Sequence, residues 1–135
     1  MEKQISNQPT VMCVDDDDLI RPFVGLVLRN AGFAVNEART CAEAQQSLHS
    51  KTPTFVVLDI DLPDGNGFEM AEAWRNDGYG TLPILFISGG DSGVCQARAA
   101  QLKAGFLPKP FNMLDLLSAI HSVFSDKQRI GGPLP

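Results

Sequence analysis

Three apolar runs in this chain each end abruptly in a polar residue of a different chemical kind. VMCV at 11–14 runs into Asp15, Asp16, Asp17 and Asp18; FVVL at 55–58 runs into Asp59; ILFI at 84–87 runs into Ser88. Short apolar runs rich in Val, Ile and Phe and bounded by Pro, Gly or Asp read as strands buried on both faces of a parallel sheet. Their polar ends then gather along one edge, the edge at which an open α/β sheet holds its ligand. A fourth run, FLP at 106–108, brings Lys109 to the same place. Three carboxylates, one hydroxyl and one ammonium converge there.

Between these runs the pattern turns helical, with short connections, as in successive βαβ units. The spacing predicts a first helix over 18–30 with Leu19, Phe23 and Val27 inside and Pro22 tolerated in its first turn. A short strand over 34–37 follows. Thr40 and Glu43 then form a capping box that opens a helix to about residue 50. Residues 62–67, LPDGNG, read as a loop, and Phe68, Ala71 and Trp74 mark a third helix. Gly89, Gly90 and Gly93 suggest a flexible loop before a fourth helix over 94–103. Asn112 and Asp115 cap the last helix, with its stripe of Leu116, Leu117, Ile120, Val123 and Phe124. Five strands alternating with five helices predict a doubly wound α/β domain. Pro108 has no N–H to donate to a ladder, so the strand carrying it belongs at an edge.

At 135 residues the chain holds one domain, which buries roughly two thirds of its unfolded surface. A formal net charge of −5 and no cluster of Lys and Arg argue against direct contact with nucleic acid. No apolar run approaches the about 20 residues that span a bilayer, and residues 1–10 are polar, so no membrane association and a cytoplasmic location are expected. Cys13, Cys41 and Cys95 are widely spaced and support neither a disulfide framework nor a zinc site. His49 and His121 read as surface or structural residues.

Carboxylates crowded at a strand end repel one another and stay ionised only when a cation compensates them. A hard divalent ion does so best, held by a few oxygens and sharing its remaining positions with water or phosphate. Asp15, Asp16 and Asp59 offer such a site. A phosphoryl group on one carboxylate would meet the Ser88 hydroxyl and the Lys109 ammonium.

With these motifs in order, VMCVDDDDLIR, VVLDIDLPDGNG, ILFISGG and FLPKPF, the chain resembles the receiver domain of two-component response regulators over residues 9–125. Residues 1–8 and 126–135 are then expected to be tails or linkers. The resemblance implies a flavodoxin-like sheet of strand order 2-1-3-4-5. It implies that Asp59 accepts a phosphoryl group from a histidine kinase or a histidine phosphotransfer protein. Asp15, Asp16, Asp59 and the Asp61 main-chain carbonyl would bind Mg²⁺ or Mn²⁺. Ser88, Gly89 and Lys109 would contact the phosphoryl oxygens, and Lys109-Pro110 would be cis. Ser88 and Phe106 would act as switch residues, remodelling the face of the fourth helix, fifth strand and fifth helix for an effector or a second copy. Such a domain is a switch rather than an enzyme.

The Asp59-Ile60-Asp61 stretch also resembles the nucleophile motif of haloacid-dehalogenase-like phosphatases, with Asp59 as nucleophile and Asp61 as general acid. Against it, that nucleophile strand normally opens the fold, and the acidic metal motif expected after the Lys is missing. A receiver fold kept only for docking is a third reading, for which no loss of site residues speaks. Asp17 and Asp18 read as a solvated helix start, Asp64 and Asn66 as turn formers and Arg21 as a solvated helix residue.

Overall fold

Parallel pairing orders five strands into one sheet. The computed structural model describes residues 8–131, with side chains through residue 124. The elements are β1 (Thr10–Val14), α1 (Ile20–Asn30), β2 (Ala34–Ala38), α2 (Cys41–Ser50), β3 (Phe55–Asp59), α3 (Gly67–Asn76), β4 (Ile84–Ser88), α4 (Ser92–Gln101), β5 (Gly105–Pro108) and α5 (Met113–Gly131). The sheet order is β2-β1-β3-β4-β5, the flavodoxin-like arrangement, and β5 with its Pro108 is an edge strand.

The apolar runs are unbroken because both faces of the sheet are covered. Met12, Val14, Val56, Leu58, Ile84 and Phe86 pack on one side, where Leu48 of α2, Trp74 of α3 and Ala99 of α4 join them. Val11, Cys13, Phe55, Val57, Leu85 and Ile87 pack on the other, against Val24 and Leu28 of α1 and Leu116 and Ile120 of α5. Neighbouring residues of one strand point to opposite faces, so each run feeds two cores at once. No helix among the described residues is long and apolar enough to cross a membrane.

Several local expectations shift. Helix α1 begins at Ile20 rather than 18, because the Asp17 carboxylate accepts from the Leu19 and Ile20 N–H groups at 2.7 and 3.0 Å. Leu19 is consequently 82% exposed instead of buried, and Arg21 is buried rather than solvated. The 62–67 segment holds a two-residue hairpin, Asp61–Leu62 against Gly65–Asn66, and Asn66 caps α3 through its side chain. Asp64 does more than turn the chain: its carboxylate accepts from the Cys41 and Ala42 N–H groups at the start of α2. Thr40 caps α2 as expected, but Glu43 reaches back to the Arg39 N–H. The glycine loop is shorter than expected, since Asp91 caps α4 and places Gly93 inside the helix. Helix α5 carries the expected reciprocal Asn112–Asp115 cap. It runs to Gly131, so the boundary expected at 125 falls inside it. Residues 1–7 and 132–135 of the expected tails lie outside the described residues.

The end of α4 is held by an arginine that bonds to main-chain carbonyls. After Gln101 the chain turns through Lys103 at φ 57°, a left-handed conformation that non-glycine residues rarely adopt. Arg75 of α3 donates to the Leu102 carbonyl at 2.9 Å, and to the Tyr79 and Leu82 carbonyls at 2.8 and 2.7 Å. One guanidinium thus ties the connection before β4 to the connection before β5. Arg75→Met strands three partly buried carbonyls and is expected to lower stability by about 2–3 kcal/mol in urea denaturation, with Arg75→Lys recovering less than half of the loss.

Candidate functional site

Register sets the height of each polar strand end. Val14 pairs with Leu58, so Asp15 and Asp59, one residue further on, stand side by side. Asp59 pairs with Ile87 and Ser88 with Pro108, so Ser88 and then Lys109 each rise one step beyond the neighbouring strand. At about 3.3 Å per residue this makes a stair with the carboxylates on its lowest tread. Lys109 reaches back down it: Nζ lies 3.0 Å from Asp15 Oδ2 and 3.4 Å from Asp59 Oδ1. The Lys109 N–H donates to the Ser88 carbonyl at 2.8 Å, and the following Lys109-Pro110 bond is cis.

Asp15 and Asp59 are buried, Asp16 is exposed, and one carboxyl oxygen from each lies within 4.8 Å of the others. Asp15 is fixed at nearly every polar atom. Its N–H donates to the Ala38 carbonyl at 3.0 Å, its Oδ1 accepts from the Asp17 N–H at 2.9 Å and its carbonyl accepts from Arg21 Nη1 at 2.9 Å. Its Oδ2 forms the 3.0 Å ion pair with Lys109. That oxygen is the buried side-chain polar atom left without a hydrogen bond among the described residues. An all-oxygen donor set with one buried oxygen unsatisfied, two further carboxylates beside it and an open side suits a hard divalent cation.

The remaining expected residues surround this cluster at differing readiness. Ser88 is buried, and its Oγ accepts from the Gly90 N–H at 3.0 Å. Gly89 is exposed, with open space where a Cβ would stand. Asp61 lies in the hairpin with its side chain exposed, opposite Asn66. Phe106 pairs with Phe86 and is half-buried against the α2–α4 side of the core.

The family model described as "Response regulator receiver domain" matches residues 11–121. The chain belongs to the response regulator receiver domain family. It is 28% identical over 116 residues to the transcriptional regulatory protein PhoP of Escherichia coli (strain K12), covering 84% of this chain and 51% of PhoP. Over 126 residues it is 32% identical to the response regulator MprA of Mycobacterium sp. (strain KMS), covering 91% and 54% respectively. The chain thus spans about half the length of the curated relatives it matches. Among solved structures, a putative response regulator from Chloroflexus aurantiacus J-10-fl superposes with a TM-score of 0.81 at 30% identity, covering 88% of this chain and 99% of that one. The non-phosphorylated HemR receiver domain of Leptospira biflexa gives 0.80 at 32% identity, covering 87% and 95%. CheY4 of Vibrio cholerae gives 0.79 at 30%, covering 86% and 98%.

Three residues that shape this receiver's site have weak signals in the sequence. Gly67 is buried where α3 begins, and its N–H donates to the Ile60 carbonyl at 2.7 Å. A Cβ there would collide with the Asp59 carbonyl oxygen, so only glycine lets α3 start against the backbone of β3. Composition marks Gly67 as a turn residue and hides this role. Arg21 and Asp64 act at a distance, Arg21 as donor to the Asp15 carbonyl and Asp64 as acceptor for the start of α2, and nothing in their local spacing announces a distant partner.

One ammonium cannot compensate two buried carboxylates. Burial, with the neighbouring Asp15 charge, pushes the Asp59 carboxyl up to about 7 from its ordinary 3.8, against the opposing pull of Lys109. Burial works against the Lys109 ammonium, but contact with Asp15 and Asp59 outweighs it and raises its pKa. Between pH 4 and 7 the folded receiver therefore holds an Asp59 proton that the unfolded chain has released. Its stability falls as pH rises through that window and levels off above it. Without divalent cations, Asp59→Asn is expected to flatten this decline by on the order of 2–3 kcal/mol between pH 4.5 and 8, read from urea midpoints.

Proposed function

We propose that this receiver domain takes a phosphoryl group onto the Asp59 carboxylate from a phosphohistidine of a histidine kinase or a histidine phosphotransfer protein. The observation that carries the reading is Asp59 itself, a buried carboxylate at the end of a central strand, 3.4 Å from an ammonium and grouped with Asp15 and Asp16. In the transfer an Asp59 oxygen forms the new P–O bond while the P–N bond to the donor imidazole breaks, and the released imidazole takes a proton. Lys109 offers positive charge to the phosphoryl oxygens, Ser88 a hydroxyl donor and Gly89 an open main-chain approach. Mg²⁺, or Mn²⁺ in its place, would be held by Asp15, Asp16, Asp59 and the Asp61 main-chain carbonyl, and would neutralise charge shared between the carboxylates and the phosphoryl group.

The domain so read is a switch and not a phosphatase of the haloacid-dehalogenase kind. Its candidate nucleophile ends the third strand of the sheet instead of the first, and the receiver family match runs through all four motifs. Phosphorylation would draw Ser88 and reposition Phe106, presenting a changed α4–β5–α5 face to an effector or a second copy. Exposed Val94 on α4, with Met113 and Leu114 on α5, supplies apolar area for such docking. The reading places the domain in the cytoplasm, apart from membranes, with no nucleic-acid contact of its own.

Incubation with acetyl phosphate and Mg²⁺ is expected to give one labile phosphoryl adduct by intact mass, lost in Asp59→Asn and in excess EDTA. Full labelling of Asp59→Asn would move the acceptor elsewhere, and rapid turnover of general phosphomonoesters would restore the phosphatase reading. Lys109→Arg keeps the charge but changes its shape, so it is expected to be labelled weakly and to bind partners poorly once labelled. Normal partner binding by labelled Lys109→Arg would remove the geometric role assigned to the ammonium.

A further inference from the structure

Arg21 is the buried cation of this fold that touches the acidic pocket from behind. It lies in the first turn of α1 and is 5% exposed. Its three nitrogens reach the acidic run and β2: Nη1 donates to the Asp15 carbonyl at 2.9 Å, Nη2 to Asp18 Oδ1 at 2.8 Å and Nε to Glu37 Oε1 of β2 at 3.2 Å. Glu37 is itself held by Arg29 at 3.2 Å, and Asp18 lies 3.6 Å from Arg39. Helix α1 makes room for this chain of charges with Gly25, where a Cβ would press on Arg29 Nη1 at 3.0 Å and Glu37 Oε2 at 3.1 Å.

The Asp15 carbonyl is the first to lie beyond the end of β1. Without a strand partner it needs a donor, and its orientation decides where the Asp15–Asp16 peptide leads. Arg21 supplies that donor from a fork anchored on both β2 and the acidic run. The Asp18 and Glu37 side chains are 69% and 29% exposed, so these ion pairs add little net stability, and what the arrangement contributes is the direction of the Asp15 carbonyl. The fork matters to that direction, since a lysine ammonium has no planar set of donors with which to hold three acceptors.

We propose that Arg21 is a positioning residue for the cation pocket, holding the Asp15 carbonyl so that the Asp15 and Asp16 carboxylates leave β1 in the direction that lets them share a divalent ion with Asp59. The inference rests on the cation reading above. Partners that orient metal ligands typically change affinity 10–100-fold when removed. Arg21→Met is therefore expected to weaken Mg²⁺ binding at least tenfold by calorimetry at a temperature where the protein stays folded, and Arg21→Lys by an intermediate factor. In the cation-free protein, the Asp17 amide bonded to Asp15 Oδ1 is expected to exchange at least tenfold faster in both variants. Where Arg21→Met does not fold, Arg21→Lys and Glu37→Gln decide in its place. Folded Arg21 variants with wild-type Mg²⁺ affinity overturn the proposal, even when their Asp17 amide exchanges faster. Absence of Mg²⁺ binding by the wild type would instead defeat the cation reading, and amide exchange alone would then decide whether Arg21 holds the acidic pair, unchanged exchange overturning it.

Discussion

Two buried carboxylates at the ends of adjacent parallel strands share one ammonium, and much of the receiver is arranged around that shortage of positive charge. Parallel register makes the crowding unavoidable, because Val14 and Leu58 pair and the next residue of each strand is an aspartate. Lys109 offsets part of the repulsion from beyond the edge strand, at 3.0 Å from Asp15 three strands away and 3.4 Å from Asp59 two strands away. The remainder keeps Asp59 protonated well above the usual carboxylate range and leaves an oxygen of Asp15 without a hydrogen bond. A pocket in this condition carries uncompensated negative charge, so added positive charge would be favoured there.

The backbone around the pocket is correspondingly rigid. Asp15 is held by β2, by the acidic run and by α1, and Asp59 lies under the tight approach of Gly67. Away from the pocket, Arg75 secures the far end of α4, Arg98 ties its middle to Glu72 of α3 and Asp91 caps its near end.

Residues that work through strand position are legible in the sequence. An apolar run stopped by Asp or Ser states both that the strand is buried and where it ends, so Asp15, Asp59, Ser88 and Lys109 could be placed on one edge from four short segments. Pro108 announced an edge strand by the donor it lacks. Residues that act across elements were unreadable. Arg21 follows an acidic run in a helical pattern, where an arginine is ordinarily solvated, and only the fold brings Glu37 beneath it. Leu19 looked like a core residue until Asp17 moved the helix start. Lys103 shows no composition cue for its left-handed turn, so the end of α4 was placed two residues late.

The hydrogen bond from the Gly90 N–H to Ser88 Oγ uses a lone pair of the hydroxyl and does not use its proton, which makes no hydrogen bond among the described residues. A serine in this state is a coupling pin with one arm already fastened. On the proposed reading, when the free arm engages a phosphoryl oxygen, Gly90 need not let go, and the two move as one piece. Traction on the hydroxyl passes directly into the main chain two residues ahead of Ser92, where α4 begins. The strand end and the helix start are thereby yoked by a single side chain, and the stiffness of that linkage depends on a bond already made before any phosphoryl group arrives.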